Sequence, residues 1–449
     1  MIDRVVYPKN SHEEKAGSVL YYMQRDQRII DNPALYFAQQ KALEYRSPLF
    51  VVYPLPVEQN GINNYQLCFI MDGLEKLRTR LKEKGIPFFL LPESPETAVF
   101  KMVEKVKAAM IVTDFLPLRL KKIIEKNIER KSPCPLYVID AHNVVPCTLA
   151  SYKQEYAAYT IRKKIHEQLN EYLNKPEYTI QNHPYSSDIF QNEREWEELV
   201  TACRKNKSSV STFLSGEKAA NDTLKVFISE KLPFYSLFRN NPVENAVSHL
   251  SPYLHTGQIS ARMIANAVLV SGNDKKNVDD FIEELIIRRE LAENFCHYNI
   301  NYDNVNGFPG WAKETHLSHH NDPREYIYGL NELEEAKTHD SLWNAAQMEM
   351  ITTGKMHGYM RMYWAKKILE WTPSVEQALN IAIYLNDKYS LDGNDPNGYT
   401  GIMWSMGGVH DRLWFDRPIF GKIRYMNYNG CKSKFSITAY IKKVNGELV

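Results

Sequence analysis

The chain has 449 residues, of which 44% are hydrophobic and 24% are charged, and its formal net charge at pH 7 is +1. That length predicts two domains, and the composition is typical of a globular protein and excludes a largely disordered or membrane-embedded one. The first residues show no secretory leader, and the six scattered cysteines form no C-x-x-C pair. We therefore expect reduced thiols in an intracellular, soluble protein that is cytoplasmic or nuclear according to its host and not secreted.

Residues 1–150 alternate short apolar runs with helical patterns, which predicts a Rossmann-like parallel sheet covered by helices. The candidate strands are residues 19–23, 49–55, 87–91, 110–115 and 136–140. The candidate helices between them are residues 34–45, 67–83, 97–108 and 116–129. No G-x-G-x-x-G follows the first strand and no phosphate-binding G-x-x-x-x-G-K-[ST] occurs, so classical dinucleotide or P-loop binding is disfavoured.

Residues 151–210 are polar and predict an interdomain connection with a helix at 153–172 and an irregular stretch at 174–192. From residue 211 to residue 449 amphipathic helical patterns dominate. They cover residues 221–230, 259–270, 278–298, 342–353, 357–370 and 375–389. The fold class that follows is an α/β domain followed by an all-α domain.

The first segment with chemical character runs from Ser248 to Ser260 and reads S-H-L-S-P-Y-L-H-T-G-Q-I-S. Ser251 is a good helix N-cap, and Pro252 suits the first helical position because it has no N–H to satisfy. A helix N-terminus flanked by hydroxyl groups can bind a phosphate. A plain capped helix is the competing interpretation.

Three of the seven tryptophans, Trp343, Trp364 and Trp371, fall within 29 residues. Trp364 and Trp371 are seven positions apart, so one helix would place them on one face. Such aromatics can be ordinary core residues. Glu284 and Arg288 are spaced as an i,i+4 pair, which alone indicates a surface salt bridge.

The segment from Asp411 to Lys434 carries six positive and two negative residues interleaved with aromatic ones. This mixture suits phosphate contact with base stacking, and a solvated basic surface is the alternative.

Taken with the run V-L-Y-Y-M-Q-R-D-Q-R at 19–28 and D-N-P-A-L at 31–35, these segments resemble class II cyclobutane-pyrimidine-dimer photolyases of the photolyase/cryptochrome family. The resemblance implies a helical FAD-binding domain after the α/β domain. It implies light-driven repair of the dimer by electron transfer from reduced FAD, in a lyase that acts as a monomer on double-stranded DNA and not at a membrane. A cryptochrome-like photoreceptor without repair activity is the alternative, and the aromatic, basic segment disfavours it.

For the cofactor, the resemblance implies that Arg361 and Asp392 pair across the isoalloxazine ring. Asn386 would face flavin N5, because an amide both donates and accepts, with Asn397 as the competing candidate. The FAD-binding residues so implied are Tyr235, Ser248, His249, Leu250, Ser251, Gln258, Phe281, Glu284, Arg288, Gly358, Arg361, Asn386 and Asp392.

For catalysis, the resemblance implies Glu284, Met362, Asn386 and Trp404 at the lesion. Electrons would travel through Trp343, Trp364, Trp371, Tyr328 and Tyr363, with Trp364 nearest the flavin. DNA would be bound by Arg239, Asp411, Arg412, Trp414, Lys422 and Arg424, and Arg239 would pair with Asp411.

Several features stay open or negative. Thr256 stands where many relatives carry an aromatic residue. A second antenna chromophore of the deazaflavin type is possible, but the sequence does not locate its site. His316, His319 and His320 lack matching cysteine or carboxylate spacing, so we predict no metal site.

Overall fold

The computed structural model describes residues 4–8, 12–55, 64–204 and 213–447. Its N-terminal part contains a six-stranded sheet with the order β1-β6-β5-β2-β3-β4. The strands are β1 (Val5–Pro8), β2 (Ser18–Tyr22), β3 (Leu49–Pro54), β4 (Phe88–Leu91), β5 (Ala108–Asp114) and β6 (Leu136–Ile139).

All five predicted strands are present and pair in parallel, as β6-β5-β2-β3-β4. The prediction missed β1, which pairs with β6 in the antiparallel direction. This strand has only four residues, ends in proline and lies at the sheet edge, where a missing N–H costs no ladder bond. A run that short gives no alternating pattern to detect.

Helices cover both faces of the sheet, so its strands are buried on both sides. Alternate residues of β2 show this: Val19 and Tyr21 pack with two helices on one face, whereas Leu20 and Tyr22 pack with two on the other. The first pair is α1 (Pro33–Glu44) and α2 (Asn64–Glu83), and the second is α3 (Pro95–Val106) and α4 (Arg119–Lys131).

The rest of the described chain is helical. Among the described residues, no helix combines the length and the apolar character needed to cross a bilayer. The remaining α-helices are α5 (Cys147–Ala150), α6 (Ala158–Leu173), α7 (Glu193–Arg204), α8 (Glu217–Val226), α9 (Tyr235–Phe238), α10 (Ser251–His255), α11 (Ala261–Leu269), α12 (Lys275–Ile282), α13 (Arg289–Tyr298), α14 (Gly310–Ser318), α15 (Leu330–Glu334), α16 (Ser341–Thr353), α17 (Gly358–Trp371), α18 (Val375–Tyr389), α19 (Pro396–Gly407), α20 (Tyr428–Lys432) and α21 (Ile437–Val444). Shorter turns are π-helical at Phe227–Lys231 and Glu283–Arg288 and 3₁₀-helical at Leu232–Phe234 and Val305–Gly307.

The predicted helices are all found, although those at 221–230 and 278–298 run into π-helical turns, and several further helices, among them α7, α14, α19 and α21, were not predicted. The predicted helix at 278–298 is interrupted by the π-helical turn at Glu283–Arg288. Helix α19 was not predicted, because glycines at 398, 401 and 407 weaken helix propensity; the Asp395 cap and Pro396 in its first turn start it nonetheless. The predicted domain boundary at 210/211 lies outside the described residues.

Buried charges join the two parts of the molecule. Arg25, just after β2, lies 2.7 Å from Glu293 of α13 and 3.2 Å from Asp395, the N-cap of α19. Glu217 of α8 accepts the backbone N–H groups of Ile29 and Ile30 at 2.9 and 3.1 Å. Residues that follow β2 at the carboxyl edge of the sheet therefore contact the first residue of α8, the middle of α13 and the N-cap of α19.

We expect Arg25→Met to lower the free energy of unfolding by about 3–5 kcal/mol, because it leaves the buried Glu293 without its arginine partner and Asp395 with His255 as its remaining one. Urea denaturation followed by circular dichroism would measure this. The matched control is Arg194→Met, which removes one partner of the exposed Arg194–Glu198 pair and should change stability by less than about 0.5 kcal/mol. Equal effects of the two substitutions would contradict the assigned role of Arg25.

Candidate functional site: a cavity between helices α13, α17, α18 and α19

A cavity of about 960 Å³ opens between these helices and the loop after α19. That volume is enough for a large cofactor together with part of a substrate. Its lining includes eleven of the residues singled out in the sequence: Glu284, Arg288, Gly358, Arg361, Met362, Trp364, Asn386, Trp404, Asp411, Arg412 and Arg424. Residues more than 120 positions apart in the chain are therefore gathered in one place.

The π-helical turn sets the direction of Glu284 and Arg288. In such a turn residues five apart share a face, and Arg288 Nε lies 3.2 Å from Glu283 Oε1. The predicted Glu284–Arg288 pair is therefore wrong. Glu284 instead pairs with Arg239 at 3.0 Å, which also corrects the predicted Arg239–Asp411 pair. Arg239 sits on α9's C-terminal side, next to the π turn and not beside the loop after α19.

The predicted Arg361–Asp392 pair is present, with 2.6 Å between Arg361 Nη2 and Asp392 Oδ1. Burial alone would raise the pKa of Asp392, but Arg361, Lys355 and the Ser251 hydroxyl lower it below the ordinary value. Burial lowers the pKa of Lys355 to about 8, with Asp392 opposing the shift. Two cations thus converge on one carboxylate at the edge of the cavity.

The Ser248–Ser251 segment lies outside the cavity lining and connects to it through Asp392. The prediction that Ser251 caps a helix is wrong: Leu250 holds the N-cap position and Ser251 is the first residue of α10. The backbone of His249 is left-handed, with φ of 56°, a conformation that a histidine adopts at an energetic cost. Because Ser251 caps nothing, its hydroxyl is available for other partners.

Positive charge surrounds this segment. Asn245 Oδ1 accepts from Lys231 at 3.2 Å and lies 2.7 Å from His249 Nε2, while His249 Nδ1 has no hydrogen-bond partner among the described residues. Burial, and then the charges of Lys355 and Lys231, lower the pKa of His249 to about 2. Because Asn245 Oδ1 only accepts, the single ring proton of the neutral His249 is on Nε2, and the positive charge offered to an anion here comes from Lys231 and Lys355. The group can hold a phosphate or diphosphate.

Asn386 and Asn397 both line the cavity, and they lie on different helices. Asn386 is 5% exposed on α18, and its Nδ2 donates to Asp387 at 3.0 Å and would crowd a side chain at Gly398. Asn397 lies in the first turn of α19, where its amide donates to Asp395. Both asparagines therefore reach the cavity wall while their side-chain amides are hydrogen-bonded within the chain.

Three predicted cofactor residues have structural roles elsewhere. Gln258 is buried against Ser215 and accepts the N–H of Gly216 at 2.6 Å. Phe281 packs in the core against Phe227, with ring centroids 4.6 Å apart. Tyr235 packs edge-on against Phe281 and lies under the Arg239 guanidinium. None of the three lines the cavity.

The three tryptophans form a buried path that leads away from the cavity. Trp364 lines the cavity, and its indole N–H donates to Gln347 at 2.8 Å. Trp343, on α16, donates its indole N–H to the carbonyl of Trp364 at 3.0 Å. Its ring lies 5.8 Å from that of Trp371, which in turn lies 5.6 Å from the ring of Tyr328. The order Trp364, Trp343, Trp371, Tyr328 follows from these contacts.

Tyr363 points out of this path. Its hydroxyl donates to Asp340, the N-cap of α16, and among the described residues it makes no ring contact with a tryptophan. Successive residues on a helix point about 100° apart, which separates Tyr363 from Trp364. The place of Tyr363 among the electron carriers was implied by the family resemblance, which does not specify the direction of this side chain.

At the mouth of the cavity, aromatic and cationic side chains alternate. The Arg424 guanidinium lies 4.2 Å from the ring of Trp414 and 5.3 Å from that of Trp404, and Asp411 holds it with bonds of 2.8 and 3.0 Å. Arg412 covers the ring of Trp414 at 5.3 Å. The carbonyl of Lys422 accepts the N–H of Trp414, and its side chain is exposed.

Two residues at this site were not predicted. Lys366 is fully buried, donates to the carbonyl of Ser405 at 2.8 Å and lies 5.0 Å from the Trp404 ring, and burial lowers its pKa to about 7. Gln347 receives the Trp364 indole N–H. The sequence pattern of a helix does not indicate that a polar side chain such as Lys366 or Gln347 points inward.

Comparisons with known proteins agree with this geometry. A family model described as DNA photolyase matches residues 19–182. The deoxyribodipyrimidine photo-lyase of Potorous tridactylus is 44% identical, over 96% of this chain and 82% of the relative. Those of Arabidopsis thaliana and Methanothermobacter thermautotrophicus are 43% and 40% identical, over 96% of this chain and 90% and 95% of theirs.

The chain belongs to the DNA photolyase family. Identity falls to 23% with the deoxyribodipyrimidine photo-lyase of Thermus thermophilus, so the chain groups with the first set of relatives, and the predicted class II membership is confirmed.

Solved structures confirm the predicted fold. A cryptochrome from Synechocystis aligns with a TM-score of 0.75 at 16% identity, covering 96% of this chain and 89% of that one. A bacterial class III photolyase from Agrobacterium tumefaciens aligns with a TM-score of 0.73 at 16% identity, covering 98% and 88%.

The lowered pKa of Lys355 predicts pH-dependent anion binding. A bound diphosphate would return this pKa toward its ordinary value, so binding takes up a proton above about pH 8. We expect the dissociation constant of ADP for the flavin-free protein to rise about tenfold between pH 8 and pH 9.5. Isothermal titration calorimetry would measure it. Lys355→Met should weaken binding and flatten the pH dependence, and an unchanged profile in this variant would contradict the assignment.

Proposed function

We propose that this protein repairs cyclobutane pyrimidine dimers in DNA in a light-driven reaction, as its relatives' name, deoxyribodipyrimidine photo-lyase, indicates. One observation carries the proposal: the same cavity touches the first tryptophan of a buried aromatic path on one side and a basic, aromatic mouth on the other. A path for electrons and a surface for opened DNA therefore meet in one space.

The residues fit FAD as the cofactor. The Ser248–Ser251 segment with Lys231 and Lys355 would hold its diphosphate, and Arg361, Asp392 and Asn386 would flank its isoalloxazine. Gly358 and Gly401 leave open space where a side chain would project. Bound FAD, when reduced and excited by light, supplies the electron that opens the cyclobutane ring.

The mouth of the cavity would take the dimer out of the duplex. Trp404 offers a ring for the extruded bases to stack on, and Met362 lines the same wall. Glu284, steered by Arg239, presents carboxylate oxygens at the opposite wall. Arg412, Trp414 and Arg424 would occupy the gap left in the duplex, with the exposed side chain of Lys422 near the phosphates.

The aromatic path would resupply electrons from the surface. Trp364 is 3% exposed, Trp343 0% and Trp371 2%, so water is kept from these rings. A cryptochrome-like photoreceptor would share the path and cavity but has no need of an arginine held between two tryptophans at the mouth. That arrangement favours repair.

Two finer features belong to the same proposal. As the resemblance to class II photolyases implies, we expect a monomer acting in whichever compartment holds the host's DNA. A second antenna chromophore would need its own site. A cavity of about 480 Å³ beside Gln27, Leu77 and Arg80, near the carboxyl edge of the sheet, is the candidate. An absorption band additional to that of flavin in the purified protein would support it.

The direct test illuminates reduced, flavin-loaded protein with an oligonucleotide that contains one thymine dimer. We expect intact thymines to appear under blue light and none in darkness, as measured by chromatography of the digested DNA. Unchanged dimer content in the light would reject the proposed function. A dark reaction dependent on NAD(P)H would instead indicate an ordinary flavin oxidoreductase.

Replacing Trp364, the first ring of the path, should block electron transfer along the path to the flavin. We expect Trp364→Phe to slow photoreduction of the oxidised flavin by a factor of about 100 or more, because phenylalanine is far harder to oxidise than tryptophan. Absorption under blue light with a thiol reductant would follow it. The control is Trp196→Phe, since Trp196 packs on the distant strand residue Phe88 and should leave the rate unchanged. Equal rates in the two variants would refute the path.

Trp404 should matter for the lesion and not for ordinary DNA. We expect Trp404→Ala to weaken binding of dimer-containing duplex about tenfold to hundredfold, the usual loss for one stacked base, with little effect on undamaged duplex. Fluorescence anisotropy would measure both. Phe190→Ala is the matched control, because Phe190 is 58% exposed and lies outside both the cavity and its mouth. Similar losses in both variants would argue against a specific role for Trp404.

A further inference from the structure

The outer end of the aromatic path is built around Tyr328. Its backbone N–H donates to the carbonyl of Trp371 at 3.0 Å, and Arg324 donates to the carbonyls of Leu369 and Glu370 at 2.7 and 2.9 Å. These bonds fasten the segment 324–328 to the C-terminal end of α17 and satisfy carbonyls that the helix leaves open. The ring of Tyr328 is thereby held edge-on to that of Trp371, with centroids 5.6 Å apart.

The hydroxyl of Tyr328 has a defined partner for its proton. The backbone N–H of His339 donates to the Tyr328 oxygen at 3.0 Å, and that oxygen lies 2.8 Å from Nδ1 of the same histidine. In the tautomer of neutral His339 that carries its ring proton on Nε2, the phenol accepts the backbone N–H and donates its own proton to Nδ1, which is then a free base.

The surroundings of His339 suit a ring that gains a proton. The ring of Tyr326 stacks on it with centroids 3.6 Å apart and planes 17° from parallel, and the ring of Trp371 lies 5.0 Å away. Aromatic faces stabilise a cation placed over them. His339 and Tyr326 are both exposed, so the proton can pass on to water.

The chemistry of phenols makes this arrangement significant. An indole that loses an electron can keep its proton for a time, whereas an oxidised phenol is a very strong acid and forms readily only if a base takes its proton. A tyrosine without a base would be a poor final donor, and the base here is already hydrogen-bonded.

We propose that Tyr328 and His339 form a proton-coupled terminal electron donor, an inference that rests on the proposed function. After Trp371 has lost one electron to Trp343, Tyr328 gives one electron to Trp371, and its phenolic proton moves to His339 Nδ1. The products are neutral Trp371, a neutral tyrosyl radical and a histidinium. A small soluble thiol then supplies one electron to the radical, and the proton returns from the histidinium to the phenolate oxygen.

Loss of the phenolic proton slows return of the electron from Trp371 to Tyr328. Return of the electron from Trp371 to Tyr328 would require the proton to come back at the same time. The charge separation therefore persists long enough for a reductant to arrive at the exposed end. His339 acts as the proton acceptor and touches neither the cavity nor the DNA-binding mouth.

The test compares His339→Asn with His339→Phe in flavin-loaded protein. The asparagine oxygen can still accept the phenolic hydrogen bond but is not basic, and phenylalanine keeps the ring stack without an acceptor. We expect both variants to reduce the yield of neutral tyrosyl radical, measured by electron paramagnetic resonance after a light flash, by about a hundredfold, the usual contribution of a positioned base. Tyr328→Phe should abolish the radical signal.

Two further measurements separate this role from a structural one. Imidazole added to His339→Gly should restore the radical, because the site is open to solvent. In the flavin-free wild-type protein at pH 8, nitrogen NMR should show Nδ1 of His339 unprotonated and Nε2 protonated. A full radical yield in His339→Asn, or a proton on Nδ1, would overturn the inference.

Failure of this inference and failure of the proposed function can be told apart. Repair of a dimer by chemically reduced wild-type protein needs no electron from Tyr328. Repair without the radical would reject the terminal pair alone, whereas the radical without repair would reject the proposed function alone.

Discussion

An electron crosses a protein interior only through closely spaced groups that can carry charge, and helix α17 is where this chain meets that constraint. One side of the helix supplies Arg361, Met362 and Trp364 to the cavity. Two turns later Trp371 meets the rings of Trp343 and Tyr328 at the surface end. Because the cavity and the aromatic path share the rigid helix α17, the distance between Trp364 and Trp371 is fixed. The N-terminal end of α17 is fixed by the His357 N–H, which donates to Glu349 of α16, and its C-terminal end by hydrogen bonds from the segment 324–328.

The α/β domain contributes to this rigidity, although it lines none of the cavity. Arg25 at its sheet edge anchors Glu293 and Asp395, which belong to the elements that bear the two opposite walls. Burying these charges is costly unless they stay paired, so the pairing specifies one arrangement of the domains. That arrangement sets the distance between Glu284 and Trp404. Glu284 lies just before α13, and Trp404 lies on α19. The two domains thus cooperate mechanically in forming one site.

Much of this could be predicted from the sequence, and the failures share a cause. Short continuous apolar runs indicate strands buried on both faces, and a 3.6-residue apolar pattern indicates a helix buried on one, so five strands and the helix at Val375–Tyr389 were predicted closely. Family motifs identified the Arg361–Asp392 pair and the three tryptophans. Side-chain partners across the fold were not predictable: examples are the Arg239–Glu284 pair, the inward direction of Lys366 and the hydrogen bond of the buried Tyr363 to Asp340. An extra residue in a helical turn, as at Glu283–Arg288, leaves no mark on a 3.6-residue pattern.

The claim that most depends on this geometry is that a flavin and an extruded dimer occupy the cavity together. Diffraction from crystals of the protein grown with FAD and a dimer-containing duplex tests it most directly. We expect density for the isoalloxazine beside Arg361, Asp392 and Asn386, and density for the dimer against Trp404 and Met362. Flavin bound elsewhere, or a cavity filled by rearranged side chains with the dimer still stacked in the duplex, would contradict it.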